Sequence, residues 1–156
     1  ALLKNAKREG FDTAIETCLF SPWEHVQAIL PYLNTVYADV KLISRDIHKE
    51  HCGVYNDLIL DNLQKLDQEP NRFRLVVRTP VIPGINDSRE ELKKIGRFCA
   101  GLRRLDHIQL LPYHRLGTAT YKKLGRPYLL SDIKSPTAED MEHCREIVGQ
   151  YVSRVC

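Results

Sequence analysis

The sequence predicts an α/β fold with four parallel strands, either part of a barrel or an open sheet. Two observations carry this. Short apolar runs alternate with helical stretches in the order α-β-α-β-α-β-α-β-loop-α, and such βα repeats take right-handed crossovers into a parallel sheet. Each run also ends on a polar residue: Glu16, Asp39 with Lys41, Arg78 and His114. Parallel sheets are buried on both faces, so charges at strand ends belong at the mouth, where such folds place ligands.

Ala1 to Glu9 reads as a helix tail, with Leu2, Leu3 and Ala6 on one face and Gly10 as its stop. No Met and no capping residue precede it, so the chain is expected to be a piece of a longer protein. Phe11 to Thr17 is the first strand. Ser21-Pro22-Trp23-Glu24 reads as a capping box with Pro at the first helical position, opening a stripe of Trp23, Val26, Leu30 and Leu33. Thr35 to Ile43 is the second strand, and a period of two puts Asp39 and Lys41 on one face. A short helix follows over Arg45 to Cys52.

Asn56 or Asp57 is expected to cap a helix to Leu66 with Leu58, Asn62, Leu63 and Leu66 on its stripe. Phe73 to Arg78 is a strong strand, and Pro80, Pro83 and Gly84 form a rigid turn after it. Ser88 to Glu91 is a second capping box, opening a helix to Gly101. Leu105 to Tyr113 is the last strand. A loop containing Gly117, Gly125, Pro127 and Pro136 leads to Thr137–Asp140, which caps a final helix to about Val155.

The 156 residues have the size of one domain with a sizeable core. A net charge of +3 is too mild to argue for nucleic acid, and Arg103-Arg104 and Lys122-Lys123 read as solvated pairs. No apolar run reaches the roughly 20 residues that span a bilayer, so no membrane partner is expected. The five cysteines are widely spaced and odd in number. They predict free, buried or half-buried thiols in a reducing cytoplasm. No CxxC or CxxxCxxC occurs, so no zinc knuckle or iron–sulfur loop is encoded.

The strand-end residues admit two readings each. Glu16 can hold a cation or a ligand amine, or face water. Asp39 and Lys41 can line a ligand mouth or pair with neighbouring strands, since charge on an apolar strand is costly unless paired. Arg78 can fork onto a carboxylate or ribose, or pair with Asp39 or Glu16. His114 shares an alternation with Ile108, Leu110 and Pro112, which is taken to point it at the mouth. His25, His48, His51, His107 and His143 lack metal-ligand spacing and read as packing or surface residues. No GxGxxG, P-loop or GxSxG appears.

Taken together, five segments resemble glycyl-radical-enzyme activating enzymes of the pyruvate formate-lyase activase type, which are radical S-adenosylmethionine (SAM) proteins. They are Thr13-Ala-Ile-Glu-Thr-Cys18, Asp39-Val-Lys41, Val77-Arg-Thr-Pro-Val-Ile-Pro-Gly-Ile-Asn-Asp87, Leu110-Leu-Pro-Tyr-His-Arg-Leu-Gly117 and Leu124-Gly-Arg-Pro-Tyr128. They occur in family order and cover nearly the whole chain. The resemblance implies that residues 1–156 are the C-terminal part of a partial (β/α)6 barrel binding SAM across its strand ends. It implies that Glu16 and Asp39 hold a monovalent cation, that Lys41 and Arg78 bind the SAM carboxylate and ribose region, and that His114 contacts the adenine.

In the family a 4Fe–4S cluster on CxxxCxxC passes an electron to SAM. The resulting 5′-deoxyadenosyl radical takes a hydrogen from a glycine of the partner enzyme. The implied partners are a glycyl-radical enzyme such as pyruvate formate-lyase and an electron donor such as flavodoxin or ferredoxin. The cluster motif and its strand are expected before Ala1, so no catalytic or iron–sulfur residue is assigned here and the piece alone is expected to be inactive. An open strand edge is expected to favour self-association, visible by light scattering. The alternatives are another radical SAM enzyme on this scaffold, a non-catalytic partner-binding α/β domain with a self-satisfied salt network and no cleft, and a metal hydrolase using Glu16, Asp39 and His114.

Overall fold

A computed structural model describes residues 1–156. Its centre is a four-stranded parallel sheet in the order β1-β2-β3-β4, made of β1 (Ala14–Thr17), β2 (Thr35–Asp39), β3 (Arg74–Val81) and β4 (Leu105–Pro112). The sequential order is that of a barrel segment and not of a doubly wound open sheet, and so decides between the two alternatives that the alternating pattern leaves open.

The two sheet faces differ. Val36, Ala38, Val40, Leu75, Val77, Val81, Ile108 and Leu110 alternate onto one face and are buried. They join a single core with residues of α4 (Asp57–Gln68), α5 (Arg89–Ala100) and α7 (Ala138–Gly149). The opposite face carries Glu16, Tyr37, Asp39, Arg78 and Gln109 and is left half-exposed by the helices. β1 pairs only with β2, so its outer edge has no strand partner. The outer edge of β4 is covered by the C-terminal residues. Ile108 donates to the Arg154 carbonyl, Cys156 donates to the Ile108 carbonyl, and Val155 bridges Ile108.

Several elements differ from the sequence expectation for identifiable reasons. After α1 (Leu2–Arg8), the first strand begins only at Ala14, because Thr13 is tied by its hydroxyl to the Tyr32 carbonyl and by its amide to Asn34. α2 (Trp23–Gln27) has no side-chain cap, since the Ser21 hydroxyl turns to the Pro22 carbonyl. The stripe breaks near Pro31 into a short 3₁₀ turn over Leu30–Tyr32. α3 (Arg45–Cys52) falls where expected. Asn56 precedes α4 without capping it, because its side-chain amide donates to the Leu42 and Ile43 carbonyls. On α4 the buried apolar residues are Ile59, Leu63 and Leu66, while Leu58 is exposed.

Pro80 lies inside β3 rather than in the turn after it. The Arg78 carbonyl accepts from Val40, so Pro80, two residues on, faces the same side, where β2 has already ended and no ladder bond is lost. The turn itself uses Gly84 at φ +78, a conformation costly for other residues. Thr137 caps α7 in a complete box with Asp140. That helix stops at Gly149, short of Val155, because the terminal residues leave to pair with β4. A further short helix, α6 (Thr118–Lys123), lies in the stretch read as loop. All five cysteines are free; Cys99 and Cys144 are buried, but Cys18, Cys52 and Cys156 are exposed.

Candidate functional site

The strand ends bring four of the five sequence-predicted residues into one charged chain. Asp39 is in register with Arg78, Arg78 with Gln109, and Glu16 with Tyr37, so these side chains share the half-exposed face. Arg78 Nη1 sits 2.6 Å from Glu16 Oε1, and its Nε lies 3.9 Å from Asp39 Oδ1. Lys41 Nζ donates to Asp39 Oδ2 at 3.2 Å. The Arg78 guanidinium stands 5.7 Å over the Tyr37 ring, within cation–π range.

The network is not closed. Arg78 Nε is buried and has no hydrogen-bond partner. A buried guanidinium N–H without an acceptor is costly, so the network is short of one acceptor at Arg78. Lys41 makes one side-chain bond and has further donor capacity.

Lys41 lies just past the end of β2, and its loop is fixed almost atom by atom. Asn86 donates to the Lys41 and Pro80 carbonyls at 2.8 and 2.7 Å and accepts from Ile82 N–H. Asn56 holds the next two carbonyls. The buried Glu91 carboxylate accepts from Ile43 N–H, Ser44 N–H and the Ser44 hydroxyl. Glu91 was expected to return to the cap of its own helix; only the Ser88 half of that box forms, and Glu91 instead clamps the Lys41 loop. After β1, Leu19 is buried at φ 58, a left-handed conformation that costs a leucine about 1 kcal/mol. It is held there by Thr17 Oγ1 and by Asn62, whose amide donates to the Leu19 and Ser21 carbonyls.

Above the strand ends lies a cavity of about 650 Å³ with a mostly apolar lining. Lys41 forms part of its wall. So do Cys18, Cys52 and His51 from the loops and helix after β1 and β2, and Tyr121 and Tyr128 from the segment after β4. Partial desolvation by the cavity wall pushes the thiol of the otherwise exposed Cys52 up, partly offset by the Lys41 ammonium. Tyr128 shares a 2.7 Å hydroxyl contact with the buried Tyr113, and this bond with burial pushes it up to about 12. Glu16, Asp39 and Arg78 lie on the sheet below this wall, so Lys41 joins the charged network to the cavity.

His114 is placed differently from the expectation. Ile108 and Leu110, whose alternation it was taken to share, face the helices, and β4 ends at Pro112. His114 lies beyond the strand in an exposed loop, with no side-chain hydrogen bond or ion pair to the charged network. Tyr37 and Gln109 were not singled out from the sequence, although their period of two with Asp39 and Arg78 register could have found them. No group of three His, Cys, Asp or Glu side chains could hold a metal ion.

No protein-family model matches the chain. It is 40% identical over 150 residues to the isethionate sulfite-lyase activating enzyme of Nitratidesulfovibrio vulgaris, covering 96% of this chain and 48% of that protein. It is 34% identical over 150 residues to the indoleacetate decarboxylase activating enzyme of Tractidigestivibacter scatoligenes, covering 96% of this chain and 47% of that one. The chain thus spans about half the length of the curated relatives it matches. Among solved structures, a domain of pyruvate-formate lyase-activating enzyme from Bacteroides vulgatus superposes with a TM-score of 0.80 at 26% identity. That superposition covers 99% of this chain and 86% of that domain.

Proposed function

This chain is a homologue of the glycyl-radical-enzyme activating enzymes, a radical SAM group, and we propose that it forms the SAM-binding part of such an activase, of the pyruvate formate-lyase activase type. One observation supports this above the others. Glu16, Asp39, Lys41 and Arg78 converge on one sheet face at the C-terminal strand ends, beside a cavity, with a buried guanidinium donor left unpaired.

The donor set suits SAM. Arg78 and Lys41 would take its carboxylate and ribose region, the first as a fork and the second as a point charge. Glu16 and Asp39 would take a monovalent cation beside that carboxylate, exchanging their present hold on the two cations for it. The adenine contact of His114 rests on the resemblance alone, and it requires the ligand to extend from the charged cluster to the exposed loop after β4. SAM, when bound and reduced, supplies the hydrogen-abstracting chemistry; these residues bind it, orient it and shield the mouth from water.

The iron–sulfur cluster does not fit here, because no CxxxCxxC and no three-ligand group is present. Residues 1–156 alone would therefore bind SAM and leave it intact. Under this reading the partners are a glycyl-radical enzyme such as pyruvate formate-lyase and a donor such as flavodoxin or ferredoxin. Five free thiols suit a reducing cytoplasm.

The competing readings each meet an obstacle. A non-catalytic scaffold calls for a closed salt network and no cleft, whereas Arg78 Nε is unpaired and a cavity adjoins. A hydrolase on Glu16, Asp39 and His114 needs His114 in the cluster, and it stands apart.

The test uses a protein carrying this chain together with a CxxxCxxC segment, reduced anaerobically with dithionite. It is expected to release methionine and 5′-deoxyadenosine from SAM, and residues 1–156 alone to release neither. No SAM cleavage by the longer protein would overturn the reading. Cleavage by residues 1–156 alone would overturn their assigned inactivity.

A further inference from the structure

The stretch after β4 carries features that SAM binding does not use. From His107 to Ser131 there is no Asp or Glu, while Arg115, Lys122, Lys123 and Arg126 give four cations. None of the four takes part in an ion pair. Interleaved with them, Leu116, Leu124 and Leu129 are 81%, 63% and 86% exposed. Scattered exposed leucines are ordinary, but three in one short segment, interleaved with unpaired cations, are more apolar surface than a solvated loop needs.

The segment is also a built element. Tyr113, buried at the end of β4, donates its hydroxyl to the Leu130 carbonyl at 2.9 Å and contacts Tyr128 at 2.7 Å. Arg115 Nη1 donates to the Ser131 carbonyl at 3.0 Å, closing the segment at its base. Tyr121 packs edge-on against Tyr128, 5.0 Å between centroids. Tyr121, Pro127, Tyr128, Leu129 and Leu130 roof the cavity. The segment therefore has one side over the reaction mouth, while its cations stand out in solvent.

We propose that residues 115–130 form a docking surface for the glycyl-radical enzyme, through an acidic face of that partner which also offers apolar side chains to Leu116, Leu124 and Leu129. This rests on the activase reading and adds to it the chemistry of the contact. Unpaired cations steer an anionic partner and set its orientation, and the leucines supply the area that holds it. Seating on this segment brings the partner against the roof of the cavity into which its glycine must reach. The sequence alone suggests a solvated Lys122-Lys123 pair; the fold adds Arg115, Arg126 and the leucines to it. Nucleic acid fits less well, because Tyr121 and Tyr128 pack on each other rather than standing free as stacking platforms.

The test uses the cluster-bearing protein and the glycyl-radical enzyme it activates, with docking followed by interferometry at low and high salt. The double variant Lys122→Glu/Lys123→Glu is expected to dock about tenfold or more weaker at low salt, mainly through slower association, and to lose salt dependence. Leu124→Ser, at an exposed leucine outside the cavity lining, is expected to weaken docking through faster dissociation. Lys4→Glu/Arg72→Glu, with the same net charge change elsewhere, should dock within about twofold of the parent. Methionine release from SAM without partner should be equal in all.

Equal docking by the parent and the Lys122/Lys123 variant, with SAM cleavage intact, would overturn the docking surface alone. Absence of SAM cleavage in every variant and the parent would overturn the activase reading and the surface with it. A duplex oligonucleotide that displaces the partner and loses affinity with the same substitutions would overturn the proposal in favour of nucleic acid.

Discussion

Arg78→Ala is expected to weaken SAM binding by about 30- to 1000-fold, the range for truncating one partner of a half-buried, hydrogen-bonded charge contact. Arg78 is the hub of the network, touching Glu16, Asp39 and the Tyr37 ring, and it holds the unpaired Nε. Its removal leaves two carboxylates facing the SAM carboxylate, so attraction becomes repulsion. Stability should change little, because the Glu16 side chain is 66% exposed and Asp39 keeps Lys41. Arg78→Lys keeps the charge but not the fork and should recover only part of the affinity. Calorimetric titration of SAM into the folded variants checks this, and an Arg78→Ala affinity within about threefold of the parent would remove Arg78 from the site.

Glu91→Ala carries the largest expected effect on stability, a loss of about 3 kcal/mol. The buried Glu91 carboxylate accepts from Ile43 N–H, Ser44 N–H and the Ser44 hydroxyl, and alanine would strand those donors. In a domain of this size the loss corresponds to a fall in melting temperature of roughly 6–12 °C. The same change frees the loop carrying Lys41, so SAM affinity should also fall at temperatures where the protein is still folded. Glu91→Gln, which retains one acceptor oxygen, should fall between the two. A loss under about 1 kcal/mol in urea unfolding would show that water replaces the clamp.

Much of the sheet was legible because its signal is periodic. Four apolar runs separated by helical stretches gave the number and direction of the strands, and a period of two placed Asp39 and Lys41 together; the sequential order came from the fold. Glu16 and Arg78 joined them through register, which parallel pairing of successive strands largely dictates. What escaped depends on which partner a side chain chooses. Ser21, Asn56 and Glu91 each matched a capping pattern, yet Asn56 and Glu91 are drawn to the loop after β2 and Ser21 to its neighbouring carbonyl. These local and tertiary partners compete for the same polar atoms, and sequence spacing cannot rank them.

His114 was misplaced for a related reason: its alternation was extended two residues past the strand, onto the parity that faces the helices. The return of Arg154–Cys156 to β4 is a long-range pairing of three residues, too short for any pattern. Tyr37 and Gln109 share the alternation but carry no charge, so nothing in the sequence distinguishes them from ordinary surface residues of a strand. The resemblance supplied what periodicity could not, namely the proposal of SAM, rather than any anion, as the ligand of the mouth.

Under the proposed function, residues 1–156 by themselves hold the binding face for SAM. The deciding experiment is titration of SAM into residues 1–156, with folding checked by circular dichroism. Saturable one-to-one binding is expected, competed away by S-adenosylhomocysteine and weakened by Lys41→Ala. Absence of saturable binding by the folded chain would contradict it, and would return the charged strand ends to a purely structural role.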